Sequence, residues 1–177
     1  MPTIVHEFAW PDRVVVGTVG LPGARTFYLQ VRDGARSSAV ALEKEQAALL
    51  AEKVDEILDE LMVNDGNRFS VPAVTPAELI DDDPLELPVE EQFRAGALSL
   101  GWDPSTAQIV IEAYPFIEVE VEVGDDGSIE VDIDSLDPSQ VEPEEMVLVR
   151  FPVGTARAFA KRTREIVAAG RPPGDDG

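Results

Sequence analysis

The chain has 177 residues and a formal charge of −21, from 35 acidic and 14 basic residues; 44% of it is apolar and none of it is cysteine. That length suits one domain with a real core, and a surface so negative disfavours generic binding to nucleic acid or to anionic membranes. The missing cysteine excludes disulfides, thiolate metal sites and cysteine nucleophiles, and it fits a reducing compartment.

Thr3–Phe8 is a short apolar segment with the character of an edge strand, and Trp10-Pro11-Asp12 turns the chain. Met1–Trp10 has neither the basic start nor the apolar run of a secretory signal. Nothing later approaches the roughly 18 consecutive apolar residues of a membrane span. The expectation is therefore a soluble, cytoplasmic protein.

Arg13–Thr18 is rich in valine and reads as a strand. Gly20–Gly23 has the residues of a tight turn, and Arg25–Arg32 supplies the returning strand. Asp33-Gly34 is a strong hairpin signal, because both residues accept the positive φ of a type I′ turn. Ser38–Leu42 follows as a third strand. Ala47, Leu50, Val54, Ile57, Leu58 and Leu61 then fall at helical spacing, which predicts a helix over Glu43–Met62 with one buried face.

Residues 63–92 break the pattern with four prolines and the cluster Asp81-Asp82-Asp83, and a partly mobile connector is expected there. Thr75-Pro76-Ala77-Glu78 suits one short helical turn. Beyond it the first unit returns. Phe93–Leu100 answers the first valine-rich strand, Gly101–Pro104 the Gly20–Gly23 turn, and Gln108–Tyr114 the second long strand. Met146–Phe151 and a helix over Pro152–Ala169 complete the unit, with Ala156, Phe159, Thr163, Ile166 and Val167 at the positions of Ala47, Leu50, Val54, Ile57 and Leu58. The offset is 81 at Gly20/Gly101 and 109 at Ile57/Ile166, so the second copy carries an insertion of 28 residues. Residues 116–145 hold twelve Asp or Glu and no Lys or Arg, and Ile117–Val123 and Ile129–Ile133 alternate around a Gly/Asp turn as an acidic hairpin. Gly170–Pro173 ends the helix and 171–177 reads as a flexible tail.

The predicted fold is thus α+β in a single domain over 1–177. Two β-β-β-α repeats, 3–62 and 93–170, are related by pseudo-two-fold symmetry. Their strands form one antiparallel sheet, or two adjoining ones, covered by two helices. If both helices lie on one face, the other face is also buried or meets a partner.

The blocks PDRVVVGTVGLPGARTFYLQVRDG, SAVALEKEQ, EQFRAGALSLGWD, IVIEA and VRFPVGTARAFAKRTREIVAAGRPP resemble the actinobacterial DUF3090 family. The resemblance covers nearly the whole chain outside the acidic stretches. It implies a duplicated cytoplasmic protein without an established activity. Family members typically continue past the segment matching Gly170–Pro173 into a short Cys-rich tail resembling a zinc knuckle. Here Gly-Asp-Asp-Gly follows instead, so no zinc role carries over.

Little in the chain points to catalysis. Gly17, Gly20 and Gly23 are spaced three apart between two strands, which is a hairpin rather than a dinucleotide loop. An EF-hand counted from Asp132 fails, because Asp137 stands where glycine is required. His6 is the sole histidine, and no serine has a nucleophile-elbow context. No metal and no cofactor is expected. The first reading is a non-enzymatic binding or adaptor module that uses the groove between repeats or the exposed sheet face. It would dock a protein partner, with no nucleic acid and no membrane involved. Arg157, Lys161 and Arg164, at i, i+4 and i+7 on the last helix, are the candidate docking surface. The alternative is a small-ligand sensor or enzyme whose carboxylate/Arg pocket gathers Arg25, Gln30, Glu43 and Gln46. That pocket would not be duplicated, since Pro152 and Thr155 stand at the positions of Glu43 and Gln46.

Overall fold

The computed structural model describes residues 4–21, 23–64, 66–115, 122–123, 129–130 and 145–169. Strands β1 (Ile4–Phe8), β2 (Arg13–Val19), β3 (Thr26–Asp33) and β4 (Arg36–Leu42) lead into helix α1 (Lys44–Val63). Beyond the connector come β5 (Glu91–Asp103) and β6 (Gln108–Pro115), the short pair β7 (Glu122–Val123) and β8 (Ile129–Glu130), then β9 (Glu145–Pro152) and α2 (Val153–Ala169). Both helices lie within a residue of their predicted bounds. The antiparallel β7–β8 pair falls on the predicted acidic hairpin. The rest of that hairpin and the tail lie outside the described residues.

Seven strands form one sheet in the order β1-β9-β6-β5-β4-β3-β2. The sheet is mixed rather than antiparallel, because β1 runs parallel to β9 and β4 parallel to β5. Each parallel pair joins strands far apart in sequence, which no hairpin turn constrains. Strands β2-β3-β4 lie side by side, followed by α1; β5-β6-β9 lie beside them in the same order and directions, followed by α2. The turn expected at Gly101–Pro104 also moves, since β5 continues to Asp103 and the reversal falls at residues 104–107.

Strand alternation decides which side chains meet the helices. Val14 and Val16, Phe27, Leu29 and Val31, and Val40 and Leu42 point inward and share one core with Leu50, Val54 and Leu58 of α1. Ile109 and Ile111 of β6, Val149 and Phe151 of β9, and Phe159 of α2 belong to the same core. A bulge between Ala95 and Ala97 keeps the inward parity, so that Ala95, Leu98, Leu100 and Trp102 all face the core. Helix α2 follows β9 yet packs on α1 and on β2 at the opposite edge. The sheet therefore curls around the helices.

The connector makes defined contacts with the rest of the fold. Asn67 exchanges hydrogen bonds with Val71, Pro72 O accepts from Arg157 Nε at 2.9 Å, and Thr75 Oγ1 donates to Arg157 O. A 3₁₀ turn follows at Ala77–Leu79, where one helical turn is predicted. Leu85 is buried against Gly17, where a Cβ would lie 2.6 Å from its side chain. Four prolines lower the entropy lost on ordering, and arginines supply the partners that the connector's own apolar content does not.

Candidate functional site

The four residues predicted to share a ligand pocket are dispersed. Gln30 lies between the inward-facing Leu29 and Val31, so alternation sends it to the outer face, away from α1. There its side-chain amide pairs with the connector in both directions, Nε2 donating to Glu86 O at 3.0 Å and Oε1 accepting from Glu86 N at 2.9 Å. Arg32, two residues along on the same face, pairs with the Glu86 carboxylate. Arg25 instead reaches the C-terminus of α2 and donates to Ala169 O at 3.2 Å. Only Glu43 and Gln46 remain together, at the start of α1. Glu43 N donates to Gln46 Oε1 at 2.8 Å, the N-terminal arrangement that gives an orphan amide a partner. The Glu43 carboxylate pairs with Arg94 of β5, and Gln46 Nε2 donates to Ala95 O.

The three cations predicted as a docking surface are engaged within the chain. Arg157 is buried, because its place on α2 faces α1 rather than water. Its Nη1 lies 2.8 Å from Asp55 and 3.1 Å from Asp59. Arg164 lies 3.0 Å from the second Asp55 oxygen, and Lys161 pairs with Glu165 one turn on. Two charges taken out of water need such partners, and Arg157 is a helix–helix clamp rather than a free cation.

Two grooves run between a helix and a strand, and their linings correspond. In the first, about 250 Å³, Gln46, Leu49, Leu50 and Lys53 of α1 face residues 96–100 of β5. In the second, about 500 Å³, Thr155, Ala158, Phe159 and Arg162 of α2 face β2 and the connector. Each of those four α2 residues stands 109 positions after its α1 counterpart. The two differ in what borders them.

In the α2–β2 groove the connector lies against the strand edge. Arg13 grips Asp81 with Nε at 2.7 Å and Nη2 at 3.1 Å, and donates further to Asp83 O and Pro84 O. Arg162 is buried and reaches the edge itself, with Nε donating to Val16 O at 2.9 Å and Nη1 to Asp81 O at 2.6 Å. Hydrogen bonding from Arg13 holds the Asp81 carboxyl below its usual range, and burial lowers Arg162 from its ordinary value. The α1–β5 groove has no such bordering segment among the described residues. Leu49 is 53% exposed on its wall, and Lys53 turns to Glu56 on its own helix.

The roles of Arg13, Arg162 and Asp81 are not legible in the sequence, since their contacts span 68 and 81 positions. Of the groove at β5 the sequence outlined only the strand over Phe93–Leu100, which in the fold runs past the end of its partner β4 at Leu42.

Among the described residues no group of three or more His, Asp or Glu side chains is placed to hold a metal ion, and no helix is long and apolar enough to cross a membrane. Comparison with curated proteins and with solved structures gives no match. A family model described as "Protein of unknown function (DUF3090)" matches residues 6–175. That span takes in both grooves and the connector between them, and the chain belongs to the DUF3090 family.

Proposed function

We propose that this protein is a non-enzymatic binding module that docks a basic protein partner in the α1–β5 groove. The observation that carries this reading is the groove itself, with Leu49 exposed and Leu50, Leu98 and Leu100 lining an apolar trough beside it. Charge supports the choice of partner. The chain carries −21, and Glu45, Glu52 and Glu56 stand exposed on α1 around the groove. The strongest ionic contacts are spent on internal joints, which suits binding better than acid–base chemistry. A cytoplasmic location fits the cysteine-free composition.

A second reading keeps a small anionic ligand in the α2–β2 groove, favoured by the two guanidinium groups of Arg13 and Arg162 on its wall. Such a ligand must displace Asp81. We also propose that the two β-β-β-α runs are copies of one unit set side by side. The 109-residue correspondence of the groove linings supports that duplication.

The test is a titration of isotopically labelled full-length protein with basic peptides bearing valine or leucine. Saturable amide shifts at Leu49 and Lys53 on α1 and at Leu98 and Leu100 on β5 are expected. A response confined to Arg13, Asp81 and Arg162 on adding inorganic phosphate would favour the second reading. No response at α1 or β5 removes the first.

A further inference from the structure

Resting on that binding reading, we infer that the α1–β5 groove takes its partner as an added β-strand: an extended, basic peptide pairing its main chain with the outer half of β5. Strand β5 pairs with β4 only through Glu91, Phe93 and Arg94. From Ala97 to Asp103 it pairs with β6 along one side, and among the described residues no strand pairs with its other side. Alternate residues of an antiparallel strand turn their N–H and C=O groups away from the neighbour, so this stretch presents a row of main-chain donors and acceptors. Gln46 Nε2 donates to Ala95 O just before this stretch, 3.2 Å away, and the groove opens directly beyond.

The other borders of the sheet are treated differently. The β2 edge receives Arg162 at Val16 O and lies beside the connector, while β1 has five residues and carries His6 and Glu7. Residues 97–102 of β5 have no proline and no charge to discourage pairing. Strand addition is a general way of recognising peptides: main-chain hydrogen bonds supply affinity and pockets for alternate side chains supply specificity. A precedent stands within the molecule: in the matching α2–β2 groove a non-helical piece of this chain, residues 80–83, lines the space between helix and strand edge.

Geometry and charge define the occupant. At about 3.3 Å per residue, the span of residues 96–100 accommodates roughly five ligand residues. Side chains on the core-facing side of the new strand enter the trough between Leu49, Leu50, Leu98 and Leu100, so alternate ligand positions are apolar. The intervening positions meet a strongly acidic protein and are Lys or Arg. A second copy of this chain would bring the same −21 and is disfavoured.

The test uses the full chain and a capped Lys-Val-Lys-Val-Lys-Val-Lys peptide. Expected are saturable amide shifts at residues 97–101 and at least tenfold slower hydrogen exchange at alternate amides there. N-methylation of alternate peptide bonds should weaken binding at least tenfold, and Leu49→Glu, an exposed position, should abolish it with the circular dichroism unchanged. If the N-methylated peptide binds equally well, or an amphipathic helical Lys/Leu peptide binds in its place, the groove remains a docking site but strand addition is overturned. If none of these peptides binds, both readings fall. Self-association in sedimentation that Leu49→Glu abolishes would assign the groove to a second copy and overturn the basic-peptide inference.

Discussion

The two helix–strand grooves share a plan and differ in what borders them. Both place a helix across the first strand of the other β-β-β-α run, and corresponding helix positions line both. In the α2–β2 groove Arg162 reaches the strand edge and the connector closes over it. In the α1–β5 groove Lys53 stands at the position of Arg162 and does neither. Guanidinium chemistry accounts for part of this. A planar fork can serve Val16 O and Asp81 O together, whereas an ammonium on a flexible stem stays hydrated at the surface. The lesson is that two similar surfaces acquire different roles once a connector is committed to one of them.

The comparison can be broken most severely at Arg162. Arg162→Ala removes two charge-assisted hydrogen bonds and leaves a strand carbonyl without its donor, a loss of about 4 kcal/mol at roughly 2 each, read as a shift in denaturant midpoint. Leu85→Ala deletes the buried side chain that seats the connector and should cost about 3 kcal/mol by the same measurement. Gly17→Val forces a branched side chain into the space of Leu85. It should cost about 2 kcal/mol and make the connector a preferred site of limited proteolysis.

Acid sharpens the contrast without mutation. The folded Asp81 carboxyl titrates below its ordinary value of 3.8, chiefly through Arg13, with Arg162 adding to the effect. Its contribution is therefore complete above that value and is lost as the pH falls through the folded pKa. Hydrogen exchange around Asp81–Leu85 should accelerate below about pH 4, and Arg13→Ala should remove that pH dependence. The smallest effect belongs to the open groove. Lys53→Ala breaks only an exposed pair with Glu56 and should alter stability by less than about 0.5 kcal/mol. A Lys53→Ala loss as large as that of Arg162→Ala would mean that the two grooves are braced equally.

Much of the candidate site was outlined by local pattern, and its partners were not. The helix that carries Gln46, Leu49 and Lys53 is legible from the spacing of Ala47, Leu50 and Val54, and the strand opposite from the match of Phe93–Leu100 to the first valine-rich strand. Gln30 shows the limit. Its flanking Leu29 and Val31 face the helices, so the same alternation that identifies the strand places Gln30 on the other side from Gln46. Arg157 shows another limit. Its spacing with Lys161 and Arg164 suggests a cationic face, yet the rotation of α2 against α1 buries it on Asp55.

What the sequence determined by itself were the elements whose causes are local: apolar periodicity set β2 to β6, β9 and both helices, and Asp33-Gly34 set a reversal. The tertiary structure decided the rest. Pairing β1 with β9 and β4 with β5 closes contacts across long stretches of chain, where no turn geometry chooses the neighbour. The connector is ordered by guanidinium groups 54 to 85 residues away. Such contacts form only after the core has brought the strands and helices together, because burial then supplies the free energy that offsets the lost chain entropy. The open edge of β5 has the same origin. It exists because β4 turns into α1 at Leu42 while β5 runs on to Asp103, a mismatch of lengths that acquires meaning only when the two strands lie side by side.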